Sequence, residues 1–90
     1  MMTNTEFLNH LHKNQFPEPV HAAQPANQGL EEHSHDFAVW ALVLEGSISL
    51  HFDGQVHLFK AGEVFHVPYQ KIHSEQYGPN GVKYLVSRKY

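Results

Sequence analysis

A chain of 90 residues has room for one domain only, because a typical domain has about 100–150 residues. It contains no cysteine, which excludes disulfides, thiolate metal sites and cysteine nucleophiles. A net charge of −3 with only six lysines and arginines lacks the basic face that nucleic acid requires. No apolar run approaches the ~20 residues of a bilayer span, and the polar N-terminus does not resemble a signal peptide. We therefore expect a cytoplasmic protein without nucleic-acid or membrane partners.

The first 28 residues contain one helix signal and one edge-strand signal. Thr3 followed by Glu6 forms a capping box, and apolar residues at helical spacing predict a short helix that ends at about Lys13. Three prolines then indicate turns and edge structure, in which residues 20–23 fit a short edge strand.

The rest of the chain has the pattern of an all-β protein. Strand patterns lie at residues 37–44, 47–52, 55–59, 63–67, 72–77 and 82–87. Glu45-Gly46 predicts a break between the first two strands, Asp53-Gly54 a type I′ hairpin, and residues 78–81 a four-residue turn. Strands at this spacing predict a sandwich or a barrel.

The first of these strands is apolar on both faces. If one face points to the core, the other carries Trp40, Leu42 and Leu44, which are too apolar to face water in a small domain. Either the N-terminal helix or a second subunit covers them. We expect a homodimer, because a chain of this size buries its apolar surface poorly.

Nine histidines in 90 residues are unusual, and two of them lie close together. His33 and His35 are two residues apart, so in a strand they share one face at a spacing of about 6.6 Å. Two imidazoles at that spacing can bind one metal ion. The alternative is a pair of surface histidines at the entrance of a strand.

The residues around this pair resemble the first motif of the cupin family of small jelly-roll β-barrels. That motif is HxH, three or four residues, Glu, six residues and Gly. Here three residues follow His33 and His35, and then come Val39, six residues and Gly46. The spacing is kept, but Val39 occupies the position of the usual metal-binding glutamate.

The second cupin motif is also present with its spacing intact. It is Gly, five residues, Pro, one residue, Gly, two residues, His, three residues and Asn. Here Gly62, Pro68 and His73 match it, whereas Gln70 and Tyr77 replace the second glycine and the asparagine. Those two replacements concern turn and strand geometry.

The resemblance implies one RmlC-like cupin domain over residues 1–90, that is, an all-β, cupin-type jelly-roll β-barrel with a short N-terminal helix. The helix and the edge segment occupy residues 1–28, and the barrel core occupies about 29–88. Cupins commonly dimerise, which agrees with the expected homodimer.

The resemblance also implies that His33, His35 and His73 bind one divalent transition metal ion. Imidazole suits zinc, iron, nickel and copper, so the ligand type does not choose among them. Whether the valine at position 39 abolishes metal binding stays open. Glu75 follows His73 by two residues and shares its strand face, so it is an additional candidate ligand, or a base. A solvated carboxylate at the rim is the alternative.

A cupin fold does not determine the activity, because cupins include enzymes, storage proteins and sensor domains. Our leading hypothesis is a small metal-dependent enzyme, oxygenase-like or hydrolytic, that acts on a small molecule. Glu75 and Tyr69 are its catalytic candidates. The alternative is a non-catalytic ligand-binding or sensor module, like the N-terminal domains of arabinose-type transcription regulators. No helix-turn-helix follows in these 90 residues, which weighs against it.

Several further points stay open at this stage. A metal-free barrel with a vestigial site is a third hypothesis. The substrate, the reaction type and the metal cannot be read from the sequence. The faces of His51, His57 and His66 are not fixed either, and any of them that points inward is a proton-transfer candidate.

Overall fold

The N-terminal segment folds as its capping box predicts. In the computed structural model, which describes residues 1–90, helix α1 spans Asn4–Lys13. The Thr3 side chain accepts a hydrogen bond from the Glu6 amide, and the Glu6 carboxylate accepts one from the Thr3 amide. The bond from the Thr3 amide is the main cause that lowers the pKa of the Glu6 carboxyl. The chain has no helix with the length and apolar character of a membrane span.

Six strands follow the helix and form one antiparallel sheet. They are β1 (Val20–Gln24), β2 (Gly29–His33), β3 (Ala38–Phe52), β4 (Gln55–Lys60), β5 (Val64–Val67) and β6 (His73–Lys89). The two long strands β3 and β6 pair with each other at the centre. Strands β1 and β2 pair with different parts of β6, while β4 and β5 pair with different parts of β3.

The sheet has two halves that share one core. Strands β1 and β5 flank one half of the central pair, and β2 and β4 flank the other. Buried side chains from both halves form a single apolar cluster. The sheet does not close into a barrel, because the hydrogen-bonded order β1-β6-β3-β4 leaves free edges. The predicted all-β class is therefore confirmed, with the arrangement of a jelly-roll sandwich, and the closed barrel is wrong.

The two long strands run through positions where the sequence predicts interruptions. Glu45-Gly46 lies inside β3, and residues 78–81 lie inside β6, so neither is a strand end. The backbone is nevertheless irregular there, with φ of +76° at Gly46 and +71° at Gly81 and shifts in the β3–β6 register. A Cβ on Gly46 would lie 2.1 Å from the carbonyl oxygen of Gly81. The two strands thus bend at the same level, where only glycine fits.

These bends change which residues point to the core. On β3, Val43 and Ile48 both lie in the core cluster, and on β6 so do Tyr77 and Val82. In a regular strand, residues five positions apart point to opposite faces. The irregular backbone thus lets both halves of each long strand present their apolar residues to the same core.

The hairpin between β3 and β4 agrees with its prediction. Asp53 and Gly54 have φ of +53° and +72°, and Phe52 pairs with Gln55 across the turn. A type I′ turn requires positive φ at both central residues. Asp53 also accepts hydrogen bonds from the Lys71 ammonium, which ties the turn to the segment before β6.

Helix α1 covers the apolar outer face of β3. Phe7 and Leu11 are fully buried and form a second apolar cluster with Leu42 of β3, against which Trp40 and Leu44 are partly buried. Of the two covers considered from the sequence, the helix is therefore the one present within the chain. The homodimer itself stays a prediction.

Candidate metal centre

Three histidines meet where β2, β6 and the segment before β3 come together. His33 ends β2, His73 begins β6, and the two are paired across the β2–β6 ladder. His35 lies between β2 and β3, so the expectation that it shares a strand face with His33 is wrong. The Gln70 amide donates a hydrogen bond of 2.9 Å to the His35 carbonyl oxygen, which holds this segment in place.

The three imidazole rings are packed closely around one point. The ring centroid of His33 lies 4.7 Å from that of His35 and 4.3 Å from that of His73, and the centroids of His35 and His73 are 5.1 Å apart. Glu75 completes the group, and one potential ligand atom from each of the four residues lies within 4.8 Å of all the others. Strand alternation places Glu75 on the same face of β6 as His73.

Backbone carbonyl groups fix the tautomers of two rings. His33 Nδ1 lies 2.7 Å from the Glu31 carbonyl oxygen, and His73 Nδ1 lies 2.8 Å from that of Lys71. A carbonyl oxygen only accepts hydrogen bonds, so each Nδ1 carries the proton and donates it. In the neutral rings both Nε2 atoms then present lone pairs, which is the form in which imidazole binds metals.

Both lone pairs point at the same carboxylate oxygen. Glu75 Oε2 lies 3.3 Å from His33 Nε2 and 3.4 Å from His73 Nε2. His33 Nε2 is buried and has no hydrogen-bond partner. Three lone-pair donors that face one another repel unless a proton or a cation lies among them. Ligands about 2.0–2.1 Å from one tetrahedral ion lie about 3.3–3.4 Å apart, so the separations fit a metal ion.

The other oxygen of Glu75 has a partner that orients the carboxylate. The Tyr77 hydroxyl donates to Glu75 Oε1 at 3.3 Å. Burial, and then the negative charge of Glu75, raise the pKa of Tyr77 well above its ordinary value, so the hydroxyl remains a donor at any physiological pH. Tyr77 thereby leaves Oε2 free to face the imidazoles.

His35 is the ring whose protonation is perturbed. Removal from solvent, followed by the neighbouring rings of His33 and His73, lowers the pKa of His35 below its ordinary value of 6.5. Glu75 acts in the opposite direction, and Arg88 adds to the lowering. The ring is therefore neutral at neutral pH, which is the state required of a ligand.

A cavity of about 160 Å³ opens beside the cluster. Its apolar lining comes from both halves of the sheet and includes Val39, Leu50, Phe65, Val67 and Val86. His35, His73 and Glu75 border it, and so do Gln24, Tyr84 and Arg88. Val39, at the motif position of the glutamate, therefore forms part of an apolar wall.

The remaining predicted residues lie away from this cavity. Tyr69, a catalytic candidate, is 57% exposed and does not line the cavity, so only Glu75 of the two candidates belongs to the site. His51 is exposed, His57 stacks on Phe52, and His66 stacks on Trp40 on the outer side. None of these three histidines reaches the cavity.

Two polar residues of the wall, Gln24 and Arg88, are not among the residues predicted from the sequence. Gln24 lies at the end of the edge strand β1, and its amide donates to the Tyr84 hydroxyl at 3.2 Å. Arg88 follows Tyr84 and Val86 at alternate positions of β6, and all three line the cavity. This alternation was a readable signal, because residues two apart in a strand share a face.

Comparisons with known proteins agree on the fold. The family model of the AraC-like ligand binding domain matches residues 17–88. A cupin superfamily protein from Desulfitobacterium hafniense is 23% identical with a TM-score of 0.67, over 77% of this chain and 62% of that protein. A cupin-2 domain containing protein from Shewanella frigidimarina is 18% identical with a TM-score of 0.66, over 93% and 92% of the two chains.

A third solved structure carries a more specific description. It is a predicted oxalate decarboxylase from Thermotoga maritima, 19% identical with a TM-score of 0.67, over 90% of this chain and 72% of that protein. A search of curated proteins gives no significant match. The chain spans less than two thirds of the Desulfitobacterium protein. At these identities the solved structures establish a shared fold and nothing beyond it.

Proposed function

The chain belongs to the family of AraC-like ligand binding domains, which are of the cupin type, and on this premise we propose that it is a metal-binding domain for a small molecule. His33, His35, His73 and Glu75 would hold one divalent transition metal ion. The cavity next to them would hold the small molecule. The observation that carries the proposal is the pair of Nε2 lone pairs aimed at one carboxylate oxygen.

The donor set suits such an ion chemically. Three neutral imidazoles and one carboxylate leave a divalent ion with one net positive charge, and imidazole ligands favour zinc, iron, nickel or copper over magnesium and calcium. Glu75 would supply the anionic ligand that Val39 cannot. A bound ion would supply Lewis acidity towards a molecule in the cavity.

The protein's own groups would hold the ion in a fixed place. The carbonyl oxygens of Glu31 and Lys71 hold two rings in the binding tautomer, and Tyr77 holds the carboxylate. Partners of this kind orient ligands, so little has to rearrange on binding. The cavity beside the ligand set has a mostly apolar lining, which suits the apolar part of a small molecule.

Metal analysis tests this proposal directly. Protein purified without a histidine tag is dialysed against zinc, nickel or iron(II) and analysed for metal by mass spectrometry. We expect close to one ion per chain in wild type and much less in His73→Ala. The matched control is His51→Ala, which removes an exposed histidine from the outer side of the sheet. Equal metal contents in wild type and His73→Ala would end the proposal.

Catalysis is a second candidate function, favoured by the position of the cavity directly against the ligand set. An oxygenase-like activity would appear as oxygen consumption by the iron(II)-loaded protein, and a hydrolytic one as ester cleavage by the zinc-loaded protein. Each activity should be lost in His73→Ala and kept in His51→Ala. If a ligand binds the loaded protein and is recovered unchanged, the domain is a binding module.

A further inference from the structure

An arginine without a protein partner lines the proposed ligand cavity. Arg88 lies opposite Val39 in the β3–β6 ladder, and both line the cavity. Its guanidinium forms no ion pair or hydrogen bond with the protein, and it lies 5.8 Å from the centroid of the Phe37 ring. A guanidinium presents five donors in a planar fork that matches a carboxylate. Arg88 therefore has its whole donor set available to a ligand.

The cavity would carry an excess of positive charge once a divalent ion is bound, because Glu75 and Arg88 otherwise balance each other. Glu75 is the only acidic residue that lines it, and most of the lining residues are apolar. With a divalent ion on three neutral imidazoles and Glu75, the centre carries one net positive charge, and Arg88 adds another. An anion is the ligand that such a cavity would favour, because the bound ion would lie against the cavity and Arg88, although exposed, lines the same cavity.

The size and the lining restrict this anion further. The cavity has a volume of about 160 Å³, close to the ~150 Å³ apolar cavity that binds benzene in another protein. Apolar residues from β3, β5 and β6 form its floor. A ligand that fills it therefore combines one anionic group with an apolar body no larger than about a benzene ring.

We propose that the cavity binds a small organic carboxylate, with the carboxylate directed towards Arg88 and the metal centre and the apolar body on the floor formed by Val39 and its neighbours. This inference rests on the metal-binding function proposed above. It assigns to Arg88 the selection of anionic over neutral ligands. Phe37 lines the same cavity, and its ring lies within cation–π range of the guanidinium.

Benzoate and benzamide form the matched pair of probes, because they have the same size and ring and differ in charge. Calorimetric titration of the zinc-loaded protein should show benzoate binding at least about tenfold more tightly than benzamide. Arg88→Gln should reduce that preference severalfold while the zinc content stays that of wild type, because the metal centre still attracts the carboxylate. Lys83→Gln is the control, because it removes the same charge from an exposed residue paired with Glu45 outside the cavity.

The outcomes separate this inference from the proposed function. If wild type binds no zinc, the proposed function fails before any probe is added. If zinc is bound but benzoate and benzamide bind equally, or neither binds, the inference on anions is overturned and the metal centre stands. Equal losses of benzoate affinity in Arg88→Gln and Lys83→Gln would also overturn it, because only the overall charge would then matter.

Discussion

The hydroxyl group of Tyr77 provides a test of the metal centre that leaves the ligand set intact. Tyr77 is 3% exposed and packs in the core, and its hydroxyl forms one hydrogen bond, to Glu75 Oε1 at 3.3 Å. Tyr77→Phe removes this bond and keeps the ring, so the core remains packed. Loss of a group that orients a ligand costs about 10–100-fold in metal affinity. Because the bond is long, we expect a loss of about tenfold, or about 1.4 kcal/mol.

Tyr84→Phe is the matched control for this variant. Tyr84 is also buried, at 7% exposure, and its hydroxyl accepts a hydrogen bond from Gln24 instead of contacting a residue of the metal cluster. Both variants should lower the free energy of unfolding of the metal-free protein by a similar amount, about 1 kcal/mol. In a competitive zinc titration, only Tyr77→Phe should lose affinity. Equal zinc affinities for the two variants would refute the orienting role of Tyr77.

Three further predictions rest on the structure, and a fourth, the homodimer, rests on the sequence alone. Replacing the buried candidate ligand His73 with alanine should cut zinc affinity by more than about 100-fold, while circular dichroism keeps its β signature. A lost β signature would contradict the view that the core forms without the site. The pKa of His35 is lowered in the folded protein. As the pH falls below 6.5, the unfolded chain therefore takes up a proton at His35 before the folded protein does, and the metal-free fold should lose stability. Thermal denaturation from pH 7.5 to 5 should show this loss, and it should be smaller in His35→Gln. Alanine at Gly54, where nothing lies within 4 Å, should lower the free energy of unfolding by about 1 kcal/mol through backbone strain. Alanine at Gly46 should lower it several times as much, because the added Cβ would lie 2.1 Å from a backbone oxygen. Equal melting temperatures of the two variants would argue against this close contact. Sedimentation velocity should show a homodimer, and a monomer of 10.3 kDa across micromolar concentrations would contradict that expectation.

The sequence predicted most of the secondary structure because its signals are local. The capping box of Thr3 and Glu6 needs only four residues, and the Asp53-Gly54 hairpin only two. Strand β2 was not predicted, because four of its five residues are exposed and it has no apolar alternation. It is held by pairing with β6, which is distant in sequence. A polar edge strand of this kind can be predicted only when the position of its partner strand is known.

The positions of the candidate metal ligands also depend partly on local sequence signals and partly on contacts between distant parts of the chain. Strand alternation was sufficient to place Glu75 beside His73. It gave the wrong account of His33 and His35, because the chain leaves β2 between them. Their rings converge because the chain bends before β3 and because the Gln70 amide donates a hydrogen bond to the His35 carbonyl oxygen. Strand periodicity predicts neither of these two features. Motif spacing grouped three histidines that do lie together in the structure, whereas strand alternation gave the wrong reason for the proximity of His33 and His35.

The irregular positions inside β3 and β6, at Gly46 and Gly81, explain how the candidate site and its cavity come to share one core. The sequence marks Gly46 and Gly81 as breakers, and both do interrupt the alternation, but tertiary packing of the two backbones keeps the strands continuous. Without these bends, a regular β6 would put Arg88 on the face opposite to His73, since the two residues are fifteen positions apart. Each bend shifts the inward positions by one, so the two residues line the same cavity. The glycines that looked like strand ends therefore determine which side chains can act on one ligand.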